Sequence, residues 1–222
     1  MTAVMSLRIH VTEDPVYAEN SYVVAEADSG VCWLIDPGLP PHAERIIDRV
    51  RRDKLHPEAV VLTHAHFDHI AGVDDVRAAL GPLPVYLARE EWRALSDPVY
   101  NLSGWIGPGL ATAVTDPLDL PADSVMKLGR TEWVVLDVSG HSPGGRALYC
   151  AGEGVVIVGD ALFSGSVGRV DFPTSDGPRL IRNIRNHLLT LPDDTRVLSG
   201  HGPATTIGRE RRTNPFILHG LD

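Results

Sequence analysis

At 222 residues the chain is long enough to bury a sizeable core and short for two full domains, and a 43% hydrophobic content excludes wholesale disorder. Its 29 acidic residues outnumber 20 basic ones, and the net charge of −9 is a poor match to a phosphate backbone, which argues against nucleic-acid processing. No apolar run approaches the roughly 20 residues that cross a bilayer, and the opening MTAVMSLRIHVTEDP has neither an apolar export core nor a small-residue cleavage site, so one soluble cytoplasmic domain over 1–222 is expected, away from membranes.

In chain order, Ser21 to Glu26 and Val31 to Asp36 read as a hairpin across an acidic, glycine-containing turn, closed by Pro37-Gly38. His42 to Arg52 sets Ile46, Ile47 and Val50 on one face and charges on the other, which predicts a helix. After the strand-like Ala59 to Leu62, Ile70 to Leu80 is a second amphipathic stretch, stopped by Gly81-Pro82. Ser96 to Asp116 breaks the alternation: its prolines and glycines forbid a helix, while Tyr100, Leu102, Trp105 and Ile106 stay apolar. Such a stretch is either a surface loop tucked onto its own domain or a wall of a substrate cleft, with Tyr100 and Trp105 as candidate contacts. Trp133 to Val138, Val155 to Val158 and Arg196 to Leu198 read as strands, and Arg179 to Leu189 as a helix with Leu180, Ile181, Ile184, Leu188 and Leu189 on one stripe. Cys32 and Cys150 lie in apolar runs without C-x-x-C spacing and read as buried packing residues.

The densest chemistry follows the first of these short strands. Thr63-His64-Ala65-His66-Phe67-Asp68-His69 gathers three imidazoles and a carboxylate, donors suited to zinc, iron or manganese. Three further candidates each follow a strand-like run: His141, Asp160 and His201, flanked by Gly140, Gly159, Gly200 and Gly202. Were the four strands to end along one sheet edge, seven ligand-type residues would meet, too many for one zinc and suited to two divalent ions sharing a carboxylate. The isolated His10, His42, His56, His187 and His219 read as ordinary core or surface residues. Two ions about 3.5–4 Å apart lower the pKa of a shared water to about 7 and hold it as hydroxide, so no serine or cysteine nucleophile is required. Ser142-Pro143-Gly144-Gly145 is no G-x-S-x-G elbow and reads as a turn that orients His141, and Asp68 is also a candidate proton acceptor.

The segments THAHFDHIAG, SGHSPGG, GDALFSGSVGRVDFP and SGHGPATTIGRERRTNPF resemble the successive motifs of the metallo-β-lactamase superfamily, and within it the class II glyoxalase-like (hydroxyacylglutathione hydrolase-like) branch, over residues 20 to 218. That resemblance implies an α/β fold, a four-layer αββα sandwich with a binuclear site in the cleft between its sheets. By position, it assigns His64, His66 and His141 to one metal, Asp68, His69 and His201 to the other, and Asp160 as the bridge. It also implies two divalent ions, zinc foremost with iron or manganese as variants, and a small-molecule thioester substrate of the S-lactoylglutathione type. Aspartate at 160 departs from the cysteine implied for the best-known zinc β-lactamase subclass, which argues against antibiotic hydrolysis. With few residues given after His201, no counterpart is expected of the helical domain that the resemblance implies for glutathione binding in the full-length enzymes, so another thiol carrier stays open. Arg169 is the first candidate for recognising a substrate carboxylate, against a purely structural pair with Asp171. Gly-Arg-x-Asp-Phe and the closing Asn-Pro also resemble persulfide dioxygenases, which would use a single iron held by His64, His141 and Asp160.

Overall fold

The computed structural model describes residues 6–221, so residues 1–5, on which the reading of the N-terminus partly rests, and the His42 side chain lie outside the described residues. One six-stranded sheet runs in the order β1 (Leu7–Glu13), β2 (Asn20–Glu26), β3 (Val31–Ile35), β4 (His56–Val61), β5 (Val85–Leu87), β6 (Leu118–Asp119). Its first three strands are antiparallel, the expected hairpin being β2 and β3, and β3 to β6 are parallel. A second sheet contains β7 (Val125–Leu128), β8 (Thr131–Asp137), β9 (Arg146–Cys150) and β10 (Val155–Gly159). After the small ribbon of β11 (Leu162–Phe163) and β12 (Ser166–Val167), it is completed by β13 (Arg196–Ser199), parallel to β10, and β14 (Thr205–Thr206) at its edge. The helices are α1 (His42–Arg52), α2 (Phe67–Ile70), α3 (Val73–Leu80), α4 (Gly177–Asn183), α5 (Ile207–Thr213) and α6 (Pro215–His219). Among the described residues, none is long and apolar enough to cross a membrane.

Successive strand residues point to opposite faces, and here both faces are covered. Tyr22 and Val24 of β2, Trp33 and Ile35 of β3 and Val61 of β4 meet Trp133, Val135, Leu148 and Ile157 of the other sheet. Trp33 and Trp133 touch across this gap with ring centroids 5.9 Å apart. The alternate residues Val23, Ala25, Cys32, Leu34 and Val60 pack instead on Ile46, Ile47 and Val50 of α1 and on Val73 and Val76 of α3. On the far side, Val156, Val158 and Val197 pack against Leu180, Ile181, Ile184, Leu188 and Ile207. Three cores separate four layers, helix, sheet, sheet and helix, which is the expected αββα sandwich.

Two helices differ from the sequence reading. The stretch expected as Ile70 to Leu80 is two helices parted at Gly72, where a side chain would come within 2.8 Å of the Ala43 methyl and press on the Gly38 carbonyl. The chain bends there, where it meets Gly38 and the first turn of α1. The helix expected over Arg179 to Leu189 begins earlier, at Gly177, with Asp176 accepting from the Arg179 N–H at 2.9 Å, and widens into a π-turn over Ile184–Leu188. Ser96 to Asp116 is irregular as read, with one short 3₁₀ turn at Ser103–Trp105. Cys32 and Cys150 are free and buried, and burial pushes the Cys32 thiol up to about 12, consistent with packing roles.

Candidate metal centre

The ends of β3, β4, β8, β10 and β13 open on one edge of the sandwich, and the loops leaving them carry the donors. Because β10 and β13 are parallel, Asp160 and His201 emerge side by side, tied by the Gly200 N–H donating to the Gly159 carbonyl at 2.8 Å. Gly200 is required by the close approach: a Cβ there would overlap Asp160 Oδ1 and stand 2.8 Å from the His69 ring. Gly140, at φ +134, turns the chain into His141 where a side chain would strike the backbone of Leu180.

All seven expected donors come together. His66 Nδ1 lies 3.1 Å from His64 Nε2 and 3.0 Å from His141 Nε2, and the ligand atoms of Asp68, His69 and His201 form a second trio within 4.8 Å. Asp160 reaches both: Oδ2 is 3.5 Å from His141 Nε2 and 3.4 Å from His201 Nε2, while Oδ1 is 3.4 Å from His69 Nε2.

In four of the five imidazoles the outward-facing ring nitrogen is engaged, and this decides which nitrogen faces inward. The Thr63 hydroxyl donates to Asp36 Oδ2 at 2.6 Å, so its oxygen accepts from His64 Nδ1 at 3.1 Å. His141 Nδ1 donates to the Arg169 carbonyl at 2.8 Å, His201 Nδ1 to the Tyr17 carbonyl at 2.9 Å and His69 Nδ1 to Asp36 Oδ2 at 3.0 Å. Four imidazoles therefore turn their Nε2 atoms inward. His66 Nε2, His69 Nε2 and Asp160 Oδ1 are buried without a hydrogen-bond partner, an arrangement that is costly for a polar cluster and fitting for cation ligands.

Electrostatics divide the two trios. Burial, and then neighbouring imidazoles, hold His64 and His66 well below the usual histidine range, which keeps them neutral. Burial also pulls on His69 and His201, but there carboxylates win: Asp160 and Asp36 drive His69 well above its ordinary value, and Asp160 and Asp68 raise His201 to about 10. Asp160 is pushed up by burial yet drawn well below the carboxylate range by His69 and His201, and Asp68 is lowered by His201 and His69 against the same burial. The second trio is an anionic socket that calls for positive charge.

Over this cluster opens a cavity of about 380 Å³, lined by Tyr17, Phe67, Leu102, Trp105, Ile106 and Phe172 together with His66, Asp68, His141, Asp160, Arg169 and His201. Trp105 and Arg169 thus stand where the sequence reading expects substrate contacts. Tyr100 does not: it packs against the helix-side core with its ring under the Arg93 guanidinium, 3.7 Å away, because the turn from Asp97 faces it inward. Arg169 binds Asp171 through two nitrogens, at 2.9 and 2.7 Å, so the structural pair also exists.

Sequence reading gave no role to Asp36 or Glu91. Asp36 sits at φ +47, a conformation unusual outside glycine, and its carboxylate takes the Thr63 N–H at 2.7 Å, the Thr63 hydroxyl and His69. An aspartate closing an apolar strand was its visible signal. Glu91 is buried and accepts from the Gly144 N–H at 2.7 Å, with the Ala65 N–H turned toward the same carboxylate. In AREEWRAL it has no mark that separates it from a charged surface face.

A family model of the metallo-β-lactamase superfamily matches residues 14–201. The chain is 38% identical over 217 residues to a probable metallo-hydrolase of Streptococcus pyogenes, covering 95% of this chain and 90% of that one. It is 30% identical over 212 residues to hydroxyacylglutathione hydrolase GloC of Haemophilus influenzae, covering 95% and 98%. Among solved structures, the B3 metallo-β-lactamase BLEG-1 superposes with a TM-score of 0.89 at 38% identity, over 95% of this chain and 99% of that one. TTHA1623 in a di-iron-bound form gives 0.82 at 37% identity, over 93% and 99%. Ligand-forming histidines and aspartates at the strand ends, within four layers and under a matching family model, lead to one conclusion: the chain belongs to the metallo-β-lactamase superfamily, as a metallo-hydrolase with a metal-binding site of histidine and aspartate residues.

Proposed function

We propose that the chain hydrolyses 2-hydroxyacyl thioesters, the class to which S-lactoylglutathione belongs, at a pair of divalent ions, zinc foremost, with iron or manganese as variants. The observation that carries this reading is Asp160, one carboxylate within 3.5 Å of the inward nitrogens of His141 and His201, which belong to different trios. His64, His66 and His141 would hold one ion, Asp68, His69 and His201 the other, and Asp160 both. Bound there, the ions supply Lewis acidity toward an acyl oxygen and lower the pKa of a water.

The protein's own groups account for the rest. Tyr17, Phe67, Trp105 and Phe172 line the cavity and would fix the small-molecule ester against the cluster. Asp68 lines the cavity, is anionic and can accept a proton, with its basicity limited by His201 at 3.4 Å. Asp68 and Asp160 are both held below the usual carboxylate range, so neither is poised to protonate a leaving group. A thiolate needs no such help, which favours a thioester over an amide. Two free, buried cysteines suit the reducing cytoplasm, and the net charge of −9 suits a small molecule better than a nucleic acid.

A dioxygenase with one iron on His64, His141 and Asp160 would leave Asp68, His69 and His201 without a task, although they converge as closely. The test is metal stoichiometry of the purified chain together with turnover of S-lactoylglutathione and nitrocefin. About two ions per chain with release of free thiol are expected. A fully metallated protein inert to a broad thioester panel would overturn the reading, and a single iron with oxygen uptake on glutathione persulfide would replace it.

A further inference from the structure

Among the described residues nine large apolar side chains stand exposed, and three of them, Tyr17, Trp105 and Ile106, line the one cavity above the donor cluster. With Phe67, Leu102 and Phe172 they make its walls apolar. Apolar surface gathered around a concave site is what a bound molecule covers.

These walls are built rather than loose. Asn101, fully buried, donates to the carbonyls of Ala94 and Leu110 at 2.8 and 2.9 Å and accepts the Ser103 N–H and hydroxyl at 3.0 and 2.6 Å. Its own carbonyl takes the Phe67 N–H at 2.9 Å, which fastens this loop to the metal-motif loop. Leu102, next in the chain, is held at φ +70, in the left-handed region that favours glycine, with its side chain on the cavity. A strained non-glycine residue persists where the surroundings over-determine it, as at a binding wall. The arginine of the lining, Arg169, has its guanidinium engaged by Asp171 and stacked on Phe172 at 4.6 Å.

We propose that this cavity selects thioesters whose thiol carrier is apolar and uncharged over those carried by glutathione, an inference that rests on the thioester reading above. The short 2-hydroxyacyl end must reach the donors at the cavity floor, so the carrier lies along Tyr17, Leu102, Trp105 and Ile106. Glutathione would bring two carboxylates and an ammonium against these side chains and a guanidinium already paired. Charges desolvated without partners cost more than apolar contact returns. The reaction itself is ordinary hydrolysis: water adds to the acyl carbon, the C–S bond breaks, and the thiolate leaves and takes a proton from solvent, giving the 2-hydroxy acid and the free thiol.

The experiment compares two lactoyl thioesters, of glutathione and of 2-phenylethanethiol, on the full zinc-loaded chain. The phenylethyl ester should show kcat/KM at least about tenfold higher, mostly through KM. Ile106→Arg, at an exposed position, should shift the ratio toward the glutathione ester by about fivefold or more by adding an unpaired cation. Trp105→Ala should shrink the preference by raising KM for the phenylethyl ester. Equal or better turnover of the glutathione ester by the wild-type chain, or an unchanged ratio in Ile106→Arg, would overturn the selectivity and leave the thioester reading standing. Failure of both esters in loaded protein would sink that reading and the selectivity with it.

Discussion

Asp160 is the residue on which the two donor trios depend together. Asp160→Asn keeps the shape but removes the charge and one good donor oxygen, so bound metal should fall from about two per chain to below one, with turnover down by about 100-fold or more. His201→Ala should release mainly one ion. Metal analysis beside kinetics separates these outcomes, and an Asp160→Asn protein with two tight ions and near-normal rate would contradict the bridge. Asp36 acts one step out. Asp36→Asn can no longer accept from Thr63 and His69 at once as an anion, so affinity for the second ion should drop about 10- to 100-fold in a metal titration while the first trio stays filled. For protein stripped by a chelator, His201 sets a pH signature. Its folded value, raised from 6.5 to about 10, contributes stability that is fully present below pH 6.5 and lost as pH rises through 10. Denaturation midpoints of stripped wild-type protein should therefore fall between pH 6.5 and 10.5, and those of stripped His201→Gln should fall less.

At the scale of elements, the site is a set of loops held at fixed spacing by groups that touch no substrate. Glu91, on the 3₁₀ turn Arg89–Leu95, joins the His64–His66 loop to the turn after His141. Glu91→Ala should leave the Gly144 N–H buried and unsatisfied at a cost of about 1–3 kcal/mol. Glu91→Gln should recover much of that stability, since an amide oxygen still accepts, yet bind metal more weakly at the all-histidine trio. Chemical denaturation and metal content of the two variants check this, and identical behaviour of Ala and Gln would reduce Glu91 to packing. The helix break at Gly72 belongs to the same scale: amphipathic periodicity reads straight through it, because the obstacle is the Gly38–Ala43 segment of another element.

For the whole molecule, ligands drawn from four strand ends mean that bound metal ties both sheets together. Stripping it should lower Tm by roughly 5–10 °C for each ion lost at an excess of about 100 Kd, recovered on adding zinc back, because an ion that binds only the folded state adds about 2.7 kcal/mol. A melting temperature indifferent to chelation would show that no ion is coupled to folding through these donors. The seven donors, the α1 helix and the β2–β3 hairpin were legible in the sequence because residue identity, short spacing and local periodicity specify them without reference to distant chain. Their division into two trios around Asp160 came from family resemblance; Asp160 lies within 3.5 Å of His141 Nε2 and His201 Nε2. Tyr100 facing the core, Asp36 fixing His69 and Glu91 joining two loops were decided only by the tertiary structure. Each depends on which strands lie side by side and in what register. That pairing is set by three cores packed across long sequence separations, where local pattern carries no information about which face or neighbour a side chain will meet.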